Sequence, residues 1–102
     1  MTQASDLSAI AARLFDTVAA MGLDTAGVSR PAFSAVETQV LEYLRAEAEQ
    51  AGLVTRYDHG QILIMSLPED AAADRYVLIG SHVDSVPMGG NFDGLAGVVA
   101  GM

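Results

Sequence analysis

The sequence has no cysteine and no lysine. Without cysteine there can be no disulfide, no thiolate metal site and no cysteine nucleophile, so any metal must be held by histidine and carboxylate. Without lysine, five arginines carry all the basic side-chain charge against thirteen Asp plus Glu, and the formal net charge is −8. Nucleic-acid affinity rests on Lys and Arg neutralising phosphates, so this balance excludes DNA and RNA as partners. The amino-terminal stretch MTQASDLSAIAARLF lacks the basic start and long apolar run of a signal peptide. No stretch approaches the roughly 18 apolar residues of a membrane span. A cytoplasmic location with no membrane partner is the expectation. Internal repeats and low-complexity tracts are also missing.

The chain has 102 residues, which allows one domain at most. Its 51% hydrophobic content and mean hydropathy of +0.32 point to a folded chain with a core rather than a disordered one. Leu7, Ile10, Ala11, Leu14, Phe15, Val18 and Met21 recur at spacings of three and four, which predicts a helix with one buried face, ended by Gly22 in a left-handed conformation. The turn-rich GLDTAGVSRPAF follows. Ser34 with Glu37 then forms a capping-box pattern, and Val36, Val40, Leu41, Leu44 and Ala48 make the apolar stripe of a second helix ended by Gly52. On its outer face Glu42, Glu47 and Glu49 read as solvated, and Arg45 with Glu49 as an i, i+4 pair worth on the order of tenths of a kcal/mol.

From Leu53 the period changes. LVTRYD, a DHG turn and QILIMSL predict a tight β-hairpin, with Asp58 and Gly60 supplying the turn chemistry and His59 exposed on it. PEDAAADR reads as a solvated loop. Tyr76 to Gly80, YVLIG, is a continuous apolar run containing the β-branched Val77 and Ile79, and predicts a strand buried on both faces of a sheet. A Gly-rich loop and the small, apolar LAGVVAGM complete a strand, loop, helix order, which in an open α/β sheet puts the loop at the carboxyl edge where ligands bind.

That loop, GSHVDSVPMGGNFDG from Gly80 to Gly94, holds the chemistry. A phosphate cradle does not fit. The glycine spacing matches neither nucleotide fingerprint, and Asp93 would repel the anion. An EF-hand does not fit either, since Pro87, Met88 and Phe92 stand where oxygen ligands are needed. Ser81 and Ser85 lie outside any nucleophile elbow and read as polar support for the loop. Two readings remain. In one, His82 ligates a metal, Asp84 holds its other ring nitrogen, and Asp93 returns beside it across the glycine turn. In the other, His82 and Asp84 cap a turn and Asp93 caps the following helix.

The run Gly80-Ser81-His82-Val83-Asp84-Ser85-Val86-Pro87, then Gly89-Gly90, Phe92-Asp93-Gly94 and Gly97-Val98, resembles the first metal motif of the M20 superfamily of dinuclear-metal amidohydrolases. Within it the resemblance is greatest to the N-carbamoyl-L-amino-acid hydrolase and allantoate amidohydrolase branch, and GVSRPAFSAVE extends it upstream. It implies an α/β fold in which residues 1–102 are the amino-terminal part of a three-layer α/β/α catalytic domain, with two helices, a hairpin, a buried strand and the start of a third helix. It also implies that His82 is a metal ligand, that Asp93 bridges two metals and that Asp84 is the catalytic-site residue orienting His82; the peptide at the place of Asp93–Gly94 is often cis in that family. The cofactors implied are two divalent ions per complete site, zinc, manganese or cobalt. The implied reaction is hydrolysis of a non-peptide C–N bond in an N-carbamoyl amino acid or ureido compound, with peptidase or deacylase activity as the alternative within the superfamily.

The same resemblance places the general base, the remaining ligands and an inserted lid and dimerisation domain beyond Met102. The complete enzyme is then expected to be a homodimer, and this stretch alone to bind metal weakly or not at all and to be inactive, acting at most by association. Two departures stand out. Asp58-His59-Gly60-Gln61 is one residue shorter than the D-x-x-G-N common in the branch, and Met88 stands where Asn is common.

Overall fold

A computed structural model describes residues 4–102; the first three residues of the amino-terminal stretch searched for a leader lie outside it. The chain forms two compact units, one made of the chain up to Val40 together with Gly80–Met102, the other of Leu41–Ile79. The architecture is mixed α/β, with three α-helices and one two-stranded antiparallel sheet among the described residues. No helix there is long and apolar enough to cross a membrane.

In the first unit, α1 spans Ala4–Met21 and α3 Leu95–Gly101. The apolar stripe of α1 is buried only in its carboxyl half: Leu14 and Val18 are in the core, whereas Leu7 and Ile10 are 57% and 44% exposed. Phe15 meets Phe92 edge to face with ring centroids 4.9 Å apart, a favoured quadrupolar arrangement. The expected left-handed Gly22 is not found, since the left-handed glycines are Gly52 and Gly94. Gly22 is needed for space instead: a β-carbon there would lie 2.9 Å from Cγ of Arg30.

After α1 the chain folds back on itself. The Asp24 amide donates to Gly27 O at 2.8 Å, and the Ser29 amide to Gly22 O at 2.8 Å. The Asp24 carboxylate accepts the Ser29 hydroxyl at 2.8 Å and the Thr25 amide at 2.7 Å, and these bonds, Ser29 first, hold its pKa below the ordinary carboxylate value.

Helix α2, Ala35–Gln50, begins in the first unit and ends in the second. The Glu37 amide donates to Ser34 Oγ at 3.2 Å, as the capping-box pattern predicts. The Glu37 carboxylate reaches one residue further back, to the Phe33 amide at 2.8 Å, because the Ser34 amide is already bonded to Pro31 O. At its other end the Gly52 amide bonds Glu49 O and the Leu53 amide bonds Ala48 O, a Schellman closure with Gly52 at φ 94°.

In the second unit, Leu44 and Ala48 are buried. Strands β1, Val54–Tyr57, and β2, Leu63–Ser66, pair with Val54 opposite Ser66 and Tyr57 opposite Leu63. Asp58 builds the turn: its Oδ1 accepts the amides of Gly60 at 2.8 Å and Ile62 at 2.9 Å. The left-handed position of the turn is Gln61, at φ 66°, not Gly60. The acids of α2 are less idle than a solvated face. Glu42 accepts from Arg45 at 2.9 Å and from the Tyr57 hydroxyl at 2.8 Å, and Glu49 accepts from Arg45 at 3.0 Å and Thr55 at 2.6 Å, so both acids tie the helix to β1.

Residues 76–80 do not form the predicted buried strand. They are irregular, and Tyr76, Val77, Leu78 and Ile79 are 73%, 92%, 78% and 69% exposed. A strand needs a neighbour to take its N–H and C=O groups, and the only sheet among the described residues is the β1–β2 hairpin. The run has the composition of a central strand without the partners that would make it one.

Candidate metal centre

The loop from Ser81 to Gly94 is held from below by residues 28–30. Val28 and Gly89 exchange both backbone hydrogen bonds at 2.8 Å, and the Met88 amide donates to Ser29 Oγ at 3.0 Å. The Ser85 amide donates to Arg30 O at 2.8 Å while Ser85 Oγ accepts the Arg30 amide at 3.0 Å. Ser81 donates to Gly94 O at 2.7 Å. Both serines therefore act as polar support for the loop.

Arg30 is fully buried. Its Nε donates to Val83 O at 2.8 Å, its Nη1 to Asn91 Oδ1 at 2.7 Å and its Nη2 to Asn91 O at 3.4 Å. Burial lowers the pKa of this guanidinium from its ordinary value, and the Asp84 carboxylate opposes that shift. Asp84 thus lies in the field of a buried cation on one side and bonds His82 on the other.

His82 Nδ1 lies 3.0 Å from Asp84 Oδ1 and 3.2 Å from Asp84 O. A carboxylate and a carbonyl both accept, so Nδ1 is the donor here, and in the neutral tautomer that this contact selects the Nε2 lone pair is left for another partner. The two side chains are about half exposed, at 51% and 40%. The His82 ring rests on the backbone of Gly94, at φ 72°, where any β-carbon would overlap the ring. Asp93 is the residue before that contact, exposed, with its main-chain oxygen accepting the Leu95 amide at 2.8 Å.

The structure therefore brings His82 and Asp84 into hydrogen-bond contact and seats the ring beside the Asp93–Gly94 peptide. Asp93 does not cap α3: Gly94 is the N-cap and no side-chain capping bond is made. The implied cis peptide is absent, since all described peptides are trans. No cluster of three or more His, Cys, Asp or Glu side chains suited to a metal forms among the described residues. His59 is exposed on the hairpin turn. Neither Arg30 nor Asn91 stands out by sequence periodicity. The available signals are a lone Arg before a proline in a turn-rich stretch, and an Asn, a turn-forming residue, beside a glycine pair.

The chain is similar to curated N-carbamoyl-L-amino-acid amidohydrolases and to an allantoate amidohydrolase. It is 38% identical over 76 residues to an N-carbamoyl-L-amino-acid amidohydrolase of Pseudomonas sp., a match covering 74% of the chain and 18% of that protein. An N-carbamoyl-L-amino acid amidohydrolase of Geobacillus stearothermophilus is 38% identical over 76 residues, covering 74% of the chain and 19% of that protein. The allantoate amidohydrolase of Bacillus subtilis is 36% identical over 59 residues, covering 58% of the chain and 14% of that protein. The chain spans less than a fifth of the length of the curated relatives it matches. No family model matches. No solved structure matches.

Proposed function

We propose that this chain supplies part of the metal centre of a hydrolase that cleaves the non-peptide C–N bond of N-carbamoyl amino acids or ureido compounds. The observation that carries the reading is the His82–Asp84 pair: a carboxylate fixes Nδ1 as the protonated nitrogen and presents Nε2 as a ligand, the usual bracing of a metal-bound imidazole. His82 and Asp93 are the ligands, and Asp84 orients His82. Their nitrogen and oxygen donors suit zinc, manganese or cobalt, and two such ligands alone hold an ion weakly. Divalent ions at such a site supply a low-pKa water and polarise the carbonyl. The general base and further ligands come from outside this stretch, the complete enzyme is a cytoplasmic homodimer, and the chain alone turns nothing over.

The relatives' names support the substrate class, since two are N-carbamoyl-L-amino-acid amidohydrolases. The test is a chimera in which the matched region of the Geobacillus stearothermophilus relative is replaced by this one. Metal-dependent release of amino acid from N-carbamoyl-L-amino acids is expected, abolished by His82→Ala and reduced about 10- to 100-fold by Asp84→Asn. A chimera whose activity ignores His82→Ala overturns the reading. A second reading, that the chain acts by association alone, is favoured by the exposed Tyr76–Ile79 run. Metal-dependent turnover by the chimera that is lost in His82→Ala would rule it out.

A further inference from the structure

From its three loop contacts we infer that Arg30 is a positioning residue that closes the loop between His82 and Asp93 and sets how far apart those two side chains stand. One arm of its fork bonds the main-chain oxygen of Val83, the residue after His82, and the other bonds Asn91, two residues before Asp93. The stretch between these anchors includes Gly89 and Gly90, and free glycine-rich backbone loses much entropy when ordered. The middle of the loop has its own ties, at Ser85 and Gly89, but these do not join one flank to the other. Ser81 joins the flanks at their outer ends, through Gly94 O. The planar guanidinium joins them from within the core, because it offers several donors in a fixed geometry, which an ammonium cannot.

Stability alone is a poor reason to bury this charge. A buried ion costs several kcal/mol to desolvate, by rough estimates, and an apolar residue of similar volume often serves a core as well. No carboxylate bonds Arg30. All its side-chain acceptors belong to Val83 and Asn91. That choice of partners matches a tie across the loop. That the tie serves metal ligands rests on the proposed reading of His82 and Asp93; the tie itself does not.

Amide hydrogen exchange and Co²⁺ binding, measured on the 102-residue chain and its variants, test both parts. Arg30→Met and Arg30→Lys are each expected to speed exchange at the Ser85, Met88 and Gly89 amides about tenfold or more, with the amides of Leu14 and Val18 in α1 unchanged. Co²⁺ affinity is expected to fall about 10- to 100-fold alongside. Unchanged loop exchange in Arg30→Met overturns the inference. So does loosening that spreads equally through α1, which would make Arg30 a general core residue, or full rescue by Arg30→Lys. If Arg30→Met does not fold, Asn91→Ala carries the test, because it removes one acceptor and keeps the arginine; the same confined loosening is expected, and its absence overturns the inference. A loop response without any Co²⁺ binding by the unmodified chain supports the tie and overturns the metal reading.

Discussion

Nη1 of Arg30 donates to Oδ1 of Asn91 at 2.7 Å, while Nδ2 of the same amide donates to Phe15 O at 3.0 Å. Both ends of the Asn91 side chain are thus used, one on the buried cation and one on α1. Asn91→Ala leaves a buried guanidinium N–H without its acceptor and removes a second donor from the Phe15 carbonyl, which lies within α1. Its cost is expected to be about 1–3 kcal/mol in unfolding free energy, read from urea denaturation. A change within experimental error of zero contradicts this accounting.

Three non-glycine residues outside the helices and strands sit in left-handed backbone, Phe33 at φ 59°, Gln61 at φ 66° and Met88 at φ 54°, the last two in the hairpin turn and the candidate-site loop. Both are exposed, so little packing is at stake. Asn tolerates this conformation better than Met, and Gly better than Gln. Met88→Asn should raise stability by roughly 0.5–1 kcal/mol by relieving part of the left-handed cost, and Gln61→Gly by less, because a glycine also frees the unfolded chain. A lowered urea midpoint for both contradicts the assignment of strain to these positions.

These two positions also show what was legible beforehand. The helices, the hairpin and the start of α3 follow from local periodicity and turn chemistry, which act within a few residues, and they form; of the Ser34–Glu37 box only the Ser34 half forms, and α1 buries only the carboxyl half of its stripe. The strand at 76–80 fails because burial on two faces depends on neighbours, and composition cannot say whether they are present. In the candidate site, His82 and Asp84 are two residues apart and their contact was readable from spacing. Arg30 lies more than fifty residues from Val83 and Asn91, so a single sequence carries no local signal for their bonds. Gly22 is a similar case: its position suggested a left-handed helix end, but the Arg30 stem is what requires a glycine there.

Tyr57 gives a pH dependence. Burial and its bond to Glu42 push its pKa from 10.0 up to about 12. The neutral phenol is therefore the form the fold favours. The resulting stability is complete below pH 10 and is lost as pH rises from there through about 12. Tyr57→Phe should remove this alkaline loss, checked by thermal melting at several pH values. At the acid side Glu42, lowered by its bonds to Arg45 and Tyr57, contributes stability that disappears as pH falls through its depressed pKa. An alkaline transition that survives Tyr57→Phe contradicts the role given to this contact.

Gly94 tests the seat of the imidazole. Its φ of 72° disfavours any side chain, and a β-carbon would overlap the His82 ring. Gly94→Ala is expected to displace the ring and break its bond to Asp84, seen as a shift of the His82 ring resonances in NMR spectra. Unshifted ring resonances in a folded Gly94→Ala variant contradict the packing described.

The most direct test of the metal reading is nitrogen-15 NMR of the His82 ring during titration with Zn²⁺. The expected result is a ring that donates from Nδ1 to Asp84, with Zn²⁺ perturbing Nε2, and a weaker response in Asp93→Asn. A ring protonated on Nε2, or one that Zn²⁺ leaves unchanged, would contradict it.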